Sequence, residues 1–258
     1  MSQEHLRNIR LHEIERVVGF LPKGGRVLEV GAGAGWQAAY LSARGYNVIA
    51  IDVPDSNYSA SGNWPVLFYD GVHIPLADHS VDAVFSSNTL EHVRDLPGLL
   101  AELRRVIKPG GVGVHLMPSP AWRFWTTITQ YIDVGKRGAA KLMARRSVTE
   151  TPTEKAPDDP VIPTSVKRSL KSYLRRLLWP ERHGEVGNAF TELYYFSPLR
   201  WRRVFIKSGW KALSVKAGGL FYTGYSVLDK QLSFPTRERL SRVLGSACWV
   251  YIVRPESE

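Results

Sequence analysis

Apolar residues recur along this chain with two alternating periods. Over residues 4–22 the spacing is helical, with Leu6, Ile9, Ile14, Val17, Val18 and Leu21 repeating until Pro22, Gly24 and Gly25 end it. RVLEVGA (26–32) then reads as a short buried strand, WQAAYLSARG (36–45) as a helix closed by Gly45, and NVIAID (47–52) as the next strand. PVLFYD (65–70) and VDAVFSS (81–87) give two more strands. DLPGLLAELRRVIK (95–108) gives a helix, stopped by KPGG before a fifth strand at VGVHLMP (112–118). Strands alternating with helices imply a parallel sheet covered on both faces.

The pattern changes from Ser119, where prolines at 152, 157, 160 and 163 mark an irregular linker between two basic helical stretches. Regular structure resumes with a helix at SPLRWRRVFIKSG (197–209), a strand at WKALSVKA (210–217), an aromatic loop at GGLFYTGYS (218–226), a helix at TRERLSRVL (236–244) and a last strand at SACWVYIVR (246–254). The expected fold is α/β: a doubly wound, seven-stranded, mostly parallel sheet with a helical insertion after strand five. Its parts are a nucleotide-binding half at 1–118, an inserted basic region at 119–190 and a C-terminal part at 191–258 that completes the sheet.

Composition adjusts this picture in two ways. Cys248 is the only cysteine among 258 residues, which excludes an internal disulfide framework. The N-terminal stretch shows no basic-then-apolar leader, so a reducing cytoplasm is the expected location. The formal charge of +10 is uneven: residues 1–118 hold 10 Lys/Arg against 12 Asp/Glu, whereas residues 119–183 hold 13 against 6. Much of that excess lies on TSVKRSLKSYLRRLLW (164–179), a basic amphipathic helix that suits a lid or a contact with an anionic membrane at its inner face. Nucleic acid is not the expected partner, because these basic and aromatic residues follow helical periodicity and form no strand-borne stacking platform.

The candidate chemistry begins at VGAGAGW (30–36), between the first strand and its helix. Glycines let the backbone turn tightly and approach a ligand without Cβ clashes, and in a doubly wound sheet this turn lies at the ligand crevice. Asp52, ending the next strand, can accept ribose hydroxyls, which suits an adenosine ligand. A dinucleotide fingerprint would need a glycine where Trp36 stands. Neither a phosphate loop ending in GKS or GKT nor a zinc site is supported, and no metal is expected.

GxGxG with Glu29 two residues ahead resembles the class I S-adenosylmethionine-dependent methyltransferases, of the bacterial type 11 kind, whose fold is Rossmann-like. The likeness continues through HIPLADHSVDAVFSSNTLEHVRDLPGLLAELRRVIKPGG (73–111) and covers roughly residues 24–118. It implies S-adenosylmethionine as cofactor, with Gly31, Ala32, Gly33 and Gly35 around the methionyl part and Glu29 attracting its positive charges. It also implies Asp52 on the ribose, Val53 beside the adenine, Asp70 or Gly71 at the adenine edge, and Ser87 with Asn88 beneath the sulfonium.

Transfer to an alcohol requires removal of a proton, so a base is informative. The candidates are His92, in the LEHV segment, and His183 with Glu185, in RHGEVGNAFTELYYFSPLRW (182–201). Tyr194, Tyr195 and Tyr222 are candidates for the acceptor wall; alternatively His183 and Glu185 hold the insertion in place. The leading expectation is O-methylation of a small-molecule or glycan-type acceptor, including a lipid-linked one. C- or N-methylation of a quinone, lipid or other metabolite is a second reading, and a non-catalytic basic surface-binding protein on a methyltransferase scaffold is a third.

Overall fold

A computed structural model describes residues 3–54, 64–146, 180, 182–225 and 231–256. Its strands are β1 (Arg26–Val30), β2 (Asn47–Asp52), β3 (Val66–Phe68), β4 (Val81–Ser87), β5 (Ile107–Pro118), β6 (Trp210–Ala217) and β7 (Cys248–Pro255). They form one sheet in the order β3-β2-β1-β4-β5-β7-β6. The pairs among β1 to β5 are parallel, while β7 runs antiparallel to both β5 and β6. Strand order reverses between β1 and β4, so the ligand crevice of this topology opens at their C-terminal ends.

Both faces of the sheet are buried, as parallel strands require. Val27, Ala83 and Phe85 meet Ile14 and Val17 of helix α1 (Gln3–Val17) and Leu41 of α2 (Trp36–Ser42). Leu28, Val30 and Val84 point the other way. They join Leu99, Leu100 and Leu103 of α3 (Leu96–Val106) and the helix α6 (Pro198–Lys207) through Trp201 and Phe205. Local chemistry starts these helices: Asp95 accepts the Gly98 N–H at 3.0 Å before α3, and Ser197 accepts the Arg200 N–H at 3.3 Å before α6.

One expectation needs adjustment. KPGG does not separate helix from strand, since α3 stops at Val106 and β5 begins at Ile107. The glycines instead form an irregularity within the ladder, where β4 pairing jumps from Val81↔Ile107 to Ala83↔Val112. After Ser119 β5 passes into a 27-residue helix, α4 (Pro120–Arg146), where the first of the two helical stretches is expected. The amphipathic segment 164–179 lies outside the described residues. Two further helices complete the chain, the short α5 (Glu192–Tyr195) and α7 (Phe234–Leu244) before β7. Among the described residues no helix is long and apolar enough to cross a membrane.

Candidate functional site

The glycine turn is fastened to the neighbouring strand by its own backbone. Gly31 and Ala32 donate their N–H groups to the Ile51 carbonyl at 2.9 and 3.1 Å. Gly31 has φ +73° and a Cβ there would collide with the Thr89 side chain; Gly35, also at +73°, would place one 2.6 Å from Trp64 Cβ. Both positions therefore demand glycine for conformation and for space. Asp52 reaches across from β2, accepting the Gly33 N–H at 2.6 Å on one carboxylate oxygen and the Val53 N–H at 2.7 Å on the other. Each oxygen keeps lone-pair capacity for a second donor.

Glu29 lies beneath this turn and is only 2% exposed. Its Oε2 has no hydrogen-bond partner, and burial, with the nearby negative charge of Asp52, pushes its carboxyl up to about 8. A buried acid without a partner favours a bound cation beside it. A group carrying an ammonium, a positive sulfur and a ribose matches this orphan acid, the thin turn and Asp52 together, so these residues fit S-adenosylmethionine. Val53 and Gly71 face each other, with a Cβ at Gly71 only 3.4 Å from Val53 Cγ1, and they form a narrow wall. Asp70, expected with Gly71 at the adenine edge, stands in a surface turn. Its oxygens accept the Val72 and His73 N–H groups at 2.8 and 2.7 Å and meet the His73 ring at 3.0 Å, hydrogen bonds that lower it to about 2. The carboxylate of Asp70 is committed to a surface turn.

Ser87 and Asn88 end β4 at the floor of the crevice, with the Asn88 amide donating to Ser87 Oγ at 3.2 Å. Asn88 adopts φ +54°, a region asparagine tolerates better than most residues. The next turn carries Glu91 and His92. The His183 ring lies edge-on to His92, with centroids 4.8 Å apart, and against Trp122 at 4.6 Å. Glu91, His92 and His183 each place a ligand atom within 4.8 Å of the others. The Glu91 side chain is 1% exposed, neither oxygen has a hydrogen-bond partner, and burial raises it to about 8. Burial also lowers both imidazoles, His183 to about 3, so they are neutral.

His183 is set in place by a buried ion pair. Glu192 Oε1 accepts the N–H groups of His183 and Gly184 at 2.6 and 2.8 Å, while Oε2 lies 3.2 Å from Arg123 Nε on α4. The Glu185 N–H donates to the Glu91 carbonyl at 2.8 Å, which clamps this segment onto the β4 end.

Two other expectations are corrected. The Glu185 carboxylate pairs with Arg94 at 3.1 Å and acts on His92 only through its charge, while Glu91 is the acid within ligand distance of both histidines. Tyr222 does not line an open wall: it is 4% exposed and its hydroxyl donates to Glu13 Oε1 at 2.8 Å, accepts from Arg10 at 3.0 Å and meets Cys248 Sγ at 3.0 Å. Tyr194 is largely exposed, and Tyr195 borders a cleft of about 200 Å³ with Leu90, Arg94, Phe196 and Trp201. Glu91 had a signal in the sequence: a carboxylate beside a histidine, immediately after a strand end, in an apolar turn. Arg10 and Glu13 had none beyond their place on an amphipathic helix.

The sheet order, the glycine turn and the acid ending β2 define an α/β domain built for an adenosine-containing cofactor. Residues 28–114 match the family model described as a methyltransferase domain. The chain is 31% identical over 123 residues to the biotin biosynthesis bifunctional protein BioHC of Cellvibrio japonicus, covering 43% of this chain and 24% of that one. It is 39% identical over 98 residues to an uncharacterized methyltransferase of Mycobacterium ulcerans, covering 35% and 38%. The match thus spans well under half of the curated relatives' length. A solved S-adenosylmethionine-dependent methyltransferase from Aquifex aeolicus shares the fold, with a TM-score of 0.51, 20% identity and 98% and 93% of the two chains covered. One from Archaeoglobus fulgidus does so at 0.53, 17%, 96% and 93%.

Proposed function

We propose that the protein transfers a methyl group from S-adenosylmethionine to a hydroxyl of a small-molecule or glycan-type acceptor. When bound, the cofactor supplies a methyl group on a positively charged sulfur. Glu29 offers its charge to the cationic methionyl part, Asp52 its remaining lone pairs to the ribose, and Val53 with Gly71 a wall for the adenine. Ser87 and Asn88 form the floor where the acceptor meets the cofactor. An alcohol must shed a proton as it attacks, whereas a carbanion or neutral amine need not. The observation that carries the hydroxyl reading is the convergence of two neutral imidazoles and a buried, unpartnered carboxylate at the end of β4.

His92→Ala and His183→Ala test it, with methyl incorporation measured on a panel of hydroxylated small molecules and glycans. Turnover is expected to fall by about 100-fold, the low end for a lost proton-transfer group, while affinity for S-adenosylhomocysteine is kept. Unchanged turnover in both would overturn the hydroxyl in favour of C- or N-methylation of a quinone, lipid or other metabolite. The same reading makes residues 164–179 a lid over the acceptor, whose basic face meets an anionic membrane from the cytoplasmic side when the acceptor is lipid-linked. Sedimentation with anionic and neutral vesicles, with and without this segment, checks that contact.

A further inference from the structure

We propose that Glu91, His92 and His183 form a binding site for one divalent transition-metal ion. Two imidazoles and one carboxylate are a donor set suited to such ions, with coordination positions left open. The three donors come within 4.8 Å of one another, and Glu91 Oε1 already lies 3.8 Å from His92 Nε2. Bonds of about 2.0–2.2 Å to an ion place neighbouring donors roughly 3–3.5 Å apart, so closure needs about an ångström. His92, whose side chain is 44% exposed, has room to supply it by rotation.

Arg10 acts on Glu91 through space, but among the described residues no surrounding cation hydrogen-bonds its carboxylate. Arg10 is paired with Glu13 at 2.7 Å, Arg123 with Glu192 at 3.2 Å and Arg94 with Glu185 at 3.1 Å. The Glu91 carboxylate, by contrast, is buried with both oxygens lacking a hydrogen-bond partner, an arrangement that is unfavourable until something binds. The site is also preorganised: the Glu91 carbonyl accepts the Glu185 N–H, Glu192 fixes the His183 backbone, and Trp122 with Phe196 packs its ring. A search for cysteine ligands overlooks this set, because the donors are 91 residues apart and hold no sulfur. The site stands on this geometry alone. Its role rests on the methyl-transfer reading: with the ion bound, both imidazoles would serve as ligands and not as the base, and an acceptor hydroxyl at an open position would be acidified and lose its proton to water.

Chelator-treated full-length protein should bind one equivalent of Co²⁺, followed by visible absorption, and one of Zn²⁺, followed by calorimetry. Glu91→Gln and His183→Ala should each weaken both at least tenfold. His73→Ala, in a surface ion pair away from the cluster, should leave them unchanged. His92→Ala, at a half-exposed position, carries the same expectation as Glu91→Gln should the buried substitution disturb folding. Absence of a stoichiometric site in the wild type, or equal affinity in the cluster variants, would overturn the proposal. S-adenosylhomocysteine binding, measured in parallel, separates the two ideas. Cofactor binding without metal binding removes the ion and leaves the methyltransferase reading; metal binding without cofactor binding does the reverse.

Discussion

Asp52 and Glu91 are both buried carboxylates at strand ends of one crevice, yet their surroundings are opposite. Asp52 accepts two backbone N–H groups and so shapes the turn it faces, whereas Glu91 accepts none. The first is part of the scaffold before any ligand arrives. The second lacks such partners, so its burial in the ligand-free domain is a cost. Glu29 stands between them, placed by β1 as firmly as Asp52 is by β2, but with Oε2 as unsatisfied as the oxygens of Glu91.

The sharpest way to break this contrast is to disturb the acid that holds the reactive side in shape. Glu192→Ala leaves the Arg123 charge without its buried partner and frees the His183 and Gly184 N–H groups, so a loss of about 3–5 kcal/mol in urea unfolding is expected. A value near zero would mean that the 182–190 segment is held by other contacts. Glu29 offers the next largest effect. Its folded-state value of about 8 lies above its ordinary 4.5, so between these limits the folded protein keeps a proton that the unfolded chain has released. Stability of the ligand-free protein therefore falls as pH rises from about 5 to 8, by on the order of a few kcal/mol for this group. In Glu29→Gln that contribution should vanish, which thermal unfolding at several pH values would show. Parallel pH slopes for the two proteins would contradict it. The smallest effect concerns Asp52→Ala, where S-adenosylhomocysteine affinity should drop at least tenfold, about 1.4 kcal/mol, in calorimetry. An unchanged affinity would confine Asp52 to shaping the turn.

These two sides also differ in how readable they were. The glycine turn, Glu29, Asp52 and the first five strands follow from residues close together in the chain, where periodicity and conformational demand act locally. Glu91 was overlooked although its neighbour His92 was not, because an acid in an apolar turn shows its strain only once burial is known. His183 was identified, but its meeting with His92 depends on Arg123 and Glu192, a pair separated by 69 positions that no local pattern announces. Asp70, Glu185 and Tyr222 show the same limit of local pattern. Each has the right chemistry and stands near the right strand end, but each is claimed by a partner the sequence does not reveal: His73, Arg94 and Glu13.

The Arg123–Glu192 pair has a consequence for how this domain can diversify. It ties the helix leaving β5 to the segment that returns toward β6, upstream and downstream of residues 147–179. With both stems joined at this point, the position of His183 depends on the pair and not on what lies between, so a change there that keeps Arg123 and Glu192 leaves that imidazole where it is.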